Sequence, residues 1–198
     1  MSTTINASTS GGLIQTADTS GVLELQSNGS TKMTVTSTGV YGNLVSSIAQ
    51  TASGTAVNFV DIPSWVKRIT VMFNGVSTSG TSTVQVQIGG GGGVEAIGYV
   101  GATSQSPNGG APSTLSLTSG FALDALGSAA YARTGKLDLV NLSGNAWVAG
   151  FSGYVASAIS LSGGGSKSLS STLDRIRITT VNGTDTFDAG TINIMYEG

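Results

Sequence analysis

Apolar residues in this chain recur at every second position, and this period of two limits its fold more than any other feature. Between residues 84 and 88, for example, Val84, Val86 and Ile88 alternate with Gln85 and Gln87. Successive side chains of a β-strand point to opposite faces, so strict alternation predicts a strand with one buried and one solvated face. No stretch sustains the i, i+3, i+4 apolar spacing of an amphipathic helix. The sequence therefore predicts an all-β protein.

The alternation predicts about eight strands in the part of the chain that follows residue 45. They cover residues 56–60, 66–76, 83–88, 95–100, 137–142, 146–155, 173–181 and 191–196, with a weaker candidate at 121–123. This number of half-buried strands in about 150 residues is typical of a two-sheet sandwich, and a jelly roll is the most natural version. The breaker-rich stretch 101–114, with Pro107 and Pro112, is predicted as a long surface loop.

Residues 1–45 form a different, shorter segment, in which small apolar islands alternate with turn-forming residues. The pair Asn28-Gly29 predicts a tight turn between two short strands. Two or three short strands cannot bury their apolar faces alone, so this segment needs a partner surface. We therefore predict a domain of residues 46–198 preceded by a β arm of residues 1–45 that mediates attachment or oligomerisation. The predicted interface residues are Leu13, Ile14, Leu23, Leu25, Met33 and Val35.

The composition excludes several classes of function. The chain has no His and no Cys, so it cannot form a Ser-His-Asp or Cys-His relay, a usual zinc site or a disulfide. Gly, Ser and Thr are abundant, at 30, 29 and 25 of the 198 residues, but 39% of the residues are hydrophobic and the net charge is only −2. A disordered chain combines low hydrophobicity with high net charge, so the composition favours a folded protein.

The charge and hydropathy patterns also limit the partners and the location. Eight scattered basic residues form no phosphate-binding footprint, so no nucleic-acid partner is expected. The first residues lack the charged and apolar regions of a signal peptide, and no run approaches the length of a membrane helix. We expect no membrane association.

Few residues suggest chemistry, and each has a plainer interpretation. Asp185 and Asp188 are the closest pair of acids and are candidates for calcium ligands, but the EF-hand spacing is missing and a solvated turn with Asx-type capping is favoured. The glycine run 89–93 lacks the Lys-Ser/Thr of a phosphate-binding loop and is predicted to connect two strands. We therefore predict no catalytic residues, no bound metal and no cofactor.

The aromatic and basic side chains also have structural interpretations beside functional ones. Trp147 is predicted to lie in the core with Ala149 and Phe151, and Trp65 to close the end of a core strand, although Trp65 is also a candidate for stacking on a sugar. Arg175 and Arg177 share one strand face, which indicates a solvated or edge-protecting face, with an acidic partner patch as the alternative.

Three stretches of the sequence resemble structural proteins of tailed-bacteriophage particles. They are residues 13–29 (LIQTADTSGVLELQSNG), residues 62–71 (IPSWVKRITV) and residues 185–194 (DTFDAGTINI). The first resembles a segment common near the N-termini of virion proteins.

The resemblance implies a non-enzymatic virion protein, assembled in the host cytoplasm, that forms a homotrimer. It also implies an N-terminal segment that attaches to the particle and a jelly-roll-like domain that faces outward. The chain lacks the long shaft, collagen-like repeat or heptads of a fibre. This favours a capsid decoration (cement) protein that binds the major capsid protein or another virion protein. The alternative is a tail fibre or receptor-binding protein that recognises a host surface glycan.

Overall fold

The computed structural model describes residues 22–27, 29–36, 39–41, 44–155 and 158–198, and none of them is helical. A membrane-spanning helix is therefore absent from this part of the chain. The contacts within the chain divide it into two compact units, Met1–Leu44 and Val45–Gly198. The all-β prediction is confirmed.

The first unit contains a three-stranded antiparallel sheet with the order β1-β2-β3. The strands are β1 (Leu23–Ser27), β2 (Ser30–Thr36) and β3 (Gly39–Tyr41). Ser27 pairs with Ser30 across a two-residue connection in which Gly29 has a φ of 72°. A left-handed residue at this place matches the twist of the flanking strands, which is why Asn-Gly pairs favour such hairpins. The predicted turn is confirmed.

The second unit, here called the body, contains fourteen strands in two antiparallel sheets. Its strands are β4 (Val45–Ser46), β5 (Gln50–Thr51), β6 (Ala56–Phe59), β7 (Arg68–Thr78), β8 (Val84–Gly90), β9 (Gly93–Val94), β10 (Val100–Pro107), β11 (Ser113–Ser116), β12 (Phe121–Ala122), β13 (Arg133–Ser143), β14 (Ala146–Val155), β15 (Ile159–Ser168), β16 (Leu173–Thr180) and β17 (Phe187–Glu197). The large sheet has the order β11-β10-β15-β14-β13-β7-β17-β4, with β5 also pairing with β17. The small sheet has the order β12-β8-β16-β6, with β9 pairing with β8.

The core lies between these two sheets and forms one continuous cluster of buried side chains. The large sheet contributes alternate residues such as Ile69 and Val71 of β7, and the small sheet contributes Val86 of β8 and Ile176 of β16. All four are fully buried. The period of two in the sequence is thus the burial pattern of a β-sandwich.

The strand predicted at 95–100 and the loop predicted at 101–114 are both wrong. The strand β10 begins at Val100, and the hairpin of β10 and β11 occupies most of the supposed loop. Alternation failed here because the inward positions of β10 are polar: Thr103 and Gln105 are buried. The strand β15, which pairs with β10, was not predicted, since glycines and serines replace its apolar residues.

The outer face of β8 also differs from the prediction. Gln85 and Gln87 do lie on the side of the strand away from the core, but both are buried rather than solvated. The Gln87 side-chain nitrogen donates a hydrogen bond to the Ser119 carbonyl oxygen at 2.8 Å, and the Ser119 hydroxyl donates one to the Gln85 side-chain oxygen at 2.8 Å. A covering segment around Ser119 and Gly120 therefore replaces water on this face.

The topology shares one feature with a jelly roll, which stays a prediction for this chain. The pairs β7–β17, β8–β16 and β10–β15 are nested antiparallel pairs between strands distant in sequence. However, β13, β14 and β15 form a meander within one sheet, and the body has sheets of nine and five strands instead of the eight strands in two Greek keys of a jelly roll. The antiparallel sandwich is the part of the prediction that the structure supports.

The core position of Ile176 gives a direct test of this packing. Truncating it in Ile176→Ala removes fully buried methyl groups and leaves a cavity, so we expect the free energy of unfolding to fall by about 2–5 kcal/mol. The matched control is Ile97→Ala, since Ile97 is 78% exposed, and its effect should stay within about 0.5 kcal/mol. Urea denaturation measures both, and equal effects would contradict the assigned core.

Candidate functional site

Four of the six predicted interface residues lie together on one face of the first hairpin. Leu23 of β1 pairs in register with Val35 of β2, and Leu25 pairs with Met33. Directly opposed residues of an antiparallel pair project to the same side, so these four side chains form one apolar face. We call it the hairpin face. Leu13 and Ile14 lie outside the described residues.

The hairpin face is open to solvent within the single chain. The exposed fractions are 43% for Leu23, 40% for Leu25 and 38% for Met33, and Val35 is partly exposed. An adjacent apolar residue, Val22, is 42% exposed. Apolar side chains clustered on a sheet face and left in water are typical of a surface that binds a partner.

The opposite face of the same hairpin is polar. Glu24 pairs in register with Thr34, one position away from the apolar pairs. The Gln26 side-chain nitrogen donates a hydrogen bond to the Glu24 carboxylate at 3.1 Å. The hairpin is therefore amphipathic, with one face suited to water and the other to an apolar surface.

The hairpin face offers no group for chemical catalysis. It presents only hydrocarbon and thioether atoms, so what it can do is exclude water against a complementary surface. Fully burying one leucine side chain stabilises a complex by about 1.5–3 kcal/mol, and burying a half-exposed one by part of that. A hairpin of two strands is marginally stable at best in water, and this sheet adds only the short β3 to it, so covering the apolar face also stabilises the hairpin itself.

The two acids considered as calcium ligands are engaged by the protein's own donors. The Asp185 carboxylate accepts hydrogen bonds from the Ser82 amide at 2.9 Å and from the Asn182 side-chain nitrogen at 2.8 Å. These bonds, with that from Asn182 foremost, lower the pKa of Asp185. Asp188 accepts a hydrogen bond from the Ser77 hydroxyl. Among the described residues, no group of three or more potential ligands lies together.

The turn that contains Asp185 has the predicted Asx-type capping. The Asn182 side-chain oxygen accepts hydrogen bonds from the amides of Thr184 and Asp185, both at 3.1 Å. The glycine run also forms a connection between two strands, as predicted, because it spans the end of β8 and the start of β9.

The two arginines of β16 differ in their surroundings. Arg175 donates two hydrogen bonds to the Asp174 carboxylate, at 2.6 and 3.0 Å. Arg177 lies in register between Gln87 and Asn58, and its buried Nε has no hydrogen-bond partner. Both side chains are partly exposed.

The aromatic side chains considered for the core or for stacking on a sugar divide into buried and exposed ones, and so do the tyrosines of the body. Trp147 is 4% exposed, as predicted for the core. Trp65 packs against Tyr196, with 5.9 Å between the ring centroids, but remains 39% exposed. Tyr154 is 54% exposed, whereas the Tyr99 hydroxyl is buried and hydrogen-bonded to the backbone of Ile88.

Two ion pairs with buried cations are not predicted from the sequence. The Arg133 guanidinium binds the Asp124 carboxylate with both side chains almost fully buried, and this burial raises the pKa of Asp124 although the arginine opposes the shift. The Lys167 ammonium binds the Glu95 carboxylate, which also accepts hydrogen bonds from the Ser170 amide and hydroxyl at 2.7 Å. One sign of a buried charge is present in the sequence, because alternation places Lys167 on the same strand face as Ile159 and Leu161. These pairs fix loops to the sandwich.

Comparison with known protein families, with curated proteins and with solved structures finds no match for this chain. The residues and their geometry are therefore the basis of the functional assignment.

The Glu95–Lys167 pair predicts a specific loss of stability in acid. The hydrogen bond from Lys167, together with those from Ser170, lowers the pKa of Glu95 from 4.5 to about 2. Because the folded-state pKa is the lower one, this stabilisation is present above pH 4.5 and is lost as the pH falls from 4.5 towards 2. We expect Glu95→Gln to lower the free energy of unfolding at pH 7, and the difference from the unmodified protein to shrink across this window.

The control for this measurement is Glu197→Gln. Glu197 pairs with Arg68 at 3.1 Å, but both side chains are about half exposed, so this change should alter stability by less than about 1 kcal/mol. Urea denaturation at pH 7, 4.5 and 2.5 makes the comparison. A Glu95→Gln difference that stays constant with pH would contradict the assigned ion pair.

Proposed function

We propose that this protein is a non-enzymatic structural protein of a tailed-bacteriophage virion, and that it is a capsid decoration (cement) protein. The observation that carries the proposal is the exposed apolar hairpin face of Leu23, Leu25, Met33 and Val35. Two of its residues, Leu23 and Leu25, lie in the stretch of residues 13–29 whose sequence resembles the N-terminal part of virion proteins. In the proposal it binds the major capsid protein or another virion protein.

The organisation of the body supports a passive, structural role. Its core cluster draws its described members from Ala52 to Ile194, so the body has an apolar core of its own. The acids Glu95, Asp124 and Asp174 are each paired with a neighbouring cation. A sandwich of this kind offers stiffness and solubility, which a component of a particle surface needs.

The proposed mechanism is mechanical. Each copy would bury its hairpin face against the particle and span neighbouring capsid subunits, so that separating the subunits requires exposing the buried area again. A specific interface of this kind buries roughly 1,200–2,000 Å² in total, more than a three-stranded sheet supplies alone. The homotrimer implied by the resemblance would multiply the attachment points, which raises the avidity for a repeating surface.

A second candidate function rests on the exposed aromatic side chains. Trp65 and Tyr154 are 39% and 54% exposed, and exposed aromatic rings stack on the apolar faces of sugars. These residues favour the alternative, a tail fibre or receptor-binding protein that recognises a host surface glycan.

The two candidates differ in where the protein sits on the particle. Electron microscopy of virions labelled with gold-conjugated antibodies against the purified protein separates them. Label over the head is the result expected for a decoration protein, and label at the tail supports the receptor-binding alternative. Purified virions that carry no label would overturn both.

Changing the hairpin face should abolish attachment without unfolding the body. In the double variant Leu23→Lys, Leu25→Lys, two charges replace side chains that the interface would bury, so we expect binding to particles that lack the protein to fall at least about tenfold. Co-sedimentation with such particles measures the loss.

The matched control is Thr34→Lys, which adds a charge to the polar face of the same hairpin. It should bind like the unmodified protein. Equal binding by the double variant and the control would remove the hairpin face from the proposed function, and unchanged urea denaturation of the double variant would show that its body is intact.

A further inference from the structure

The outward face of β10, β15 and β14 carries no charged side chain and, apart from Tyr154, no large one. The three strands pair in register over their full length, with Ala102, Gly164 and Gly150 in one row and Ser104, Ser162 and Ser152 in the next. None of the outward-facing residues of these strands is charged. We call this surface the serine–valine face.

One row of this face consists mainly of exposed valines. Val100 pairs with Ser166, Ser166 with Val148, and Val148 with Val140 of the adjacent strand β13. The exposed fractions are 70% for Val100, 43% for Val148 and 46% for Val140. A merely solvated sheet face carries polar side chains at such positions, so this row indicates a surface that is covered in the working protein.

Gly150, in the centre of the face, has no explanation within the chain itself. A Cβ atom added there would meet no atom within 4 Å, and the residue does not have a positive φ. The pairing of β14 with both neighbours runs through it without a bulge. Glycine inside a regular strand weakens the strand, and it often marks a bulge, a bend or a place that another backbone or a ligand approaches closely. With no bulge at Gly150, we favour the close approach.

The chemistry of the face fits a second copy of itself. Its polar groups are hydroxyls, which both donate and accept hydrogen bonds, as the contact of 3.1 Å between the Ser104 and Ser162 hydroxyls illustrates. A row of valines on one copy matches the same row on another. The outward residues of β10, β15 and β14 carry no charge, and on the adjoining β13 Lys136 and Asp138 pair with each other at 2.8 Å. With a net charge of only −2 on the chain, two copies therefore meet without strong repulsion.

We propose that two copies of this chain associate through their serine–valine faces, sheet against sheet. Together with the adjoining β13, these strands span about 19 Å by 27 Å at ordinary strand spacing and rise, or roughly 500 Å² of flat sheet. This approaches the roughly 600–800 Å² per partner of small specific interfaces. Small side chains across the centre of the face let the two sheets come close, and the one large outward side chain of β10, β15 and β14, Tyr154, lies near the end of β14. The inference does not depend on the attachment function proposed for the hairpin face.

The decisive variant is Gly150→Glu in the full-length protein. It adds a charge in open space on the face, so the fold is retained and the association is lost. The matched control is Gly92→Glu, at an exposed turn where an added Cβ also meets no atom within 4 Å and φ is likewise not positive.

Sedimentation velocity from about 1 to 500 µM, the range of weak specific association, measures the mass. We expect the unmodified protein and Gly92→Glu to reach at least twice the monomer mass and Gly150→Glu to remain a monomer. A monomeric unmodified protein would overturn the proposal. An oligomer whose mass is the same in Gly150→Glu as in the unmodified protein would also overturn the proposal. Self-association would then be assigned to another surface, such as the hairpin face.

The lack of native cysteine allows a second measurement that does not depend on a destabilising variant. In Ser152→Cys the single thiol lies on the face, whereas in Ser53→Cys it lies at an exposed position outside it. With a short bismaleimide we expect a covalent dimer from Ser152→Cys and not from Ser53→Cys. Equal cross-linking of the two would contradict the proposed contact.

Discussion

Burial of every second side chain between two antiparallel sheets is the interaction on which the rest of this structure depends. With no disulfide and no helix among the described residues, the body has one source of stability large enough to hold it, the apolar layer that includes Ile69, Val71, Val86 and Ile176. Each strand must therefore give one face to this layer, and the other face is free to vary. The variation is what distinguishes one surface of the body from another. Glutamines lie under a covering segment on β8, arginines project from β16, and serines and valines lie on the open side of β10, β15 and β14.

The local patterns of the sequence predict individual strands and turns, but they do not predict contacts between residues that are distant in the chain. The strands β7, β14 and β17 were predicted because their inward residues are apolar and contiguous in the pattern. The hairpin face was predicted for the same reason, since an Asn-Gly turn and a period of two fix its register locally. β10 and β15 escaped prediction because buried Thr103, Gln105 and Lys167 occupy positions where alternation expects apolar residues. Their burial depends on partners far away in sequence, such as Glu95 for Lys167, and no local pattern encodes such a partner.

The charged residues of the body are few, and most are used in holding it together. Asp124 and Glu95 each bind a nearly buried cation, and Asp185 accepts hydrogen bonds that close a turn. The hairpin face and the outward residues of β10, β15 and β14, by contrast, carry no charge. An uncharged surface can bind a partner only through shape complementarity, hydrogen bonds and exclusion of water, and not through attraction between opposite charges.

The nested pairing of the strands has a consequence for the order in which the chain folds. The hairpin of β1 and β2 closes within 13 residues of sequence, from Leu23 to Val35, and can form as soon as it is synthesised. β7 must wait for β17, whose Glu197 pairs with Arg68, and until then one edge of β7 lacks its neighbour. Pairings of such separation are slow to form and leave apolar strand edges open to other chains. We therefore expect the body to complete its folding late, and to expose the edges of its core strands until β17 has paired.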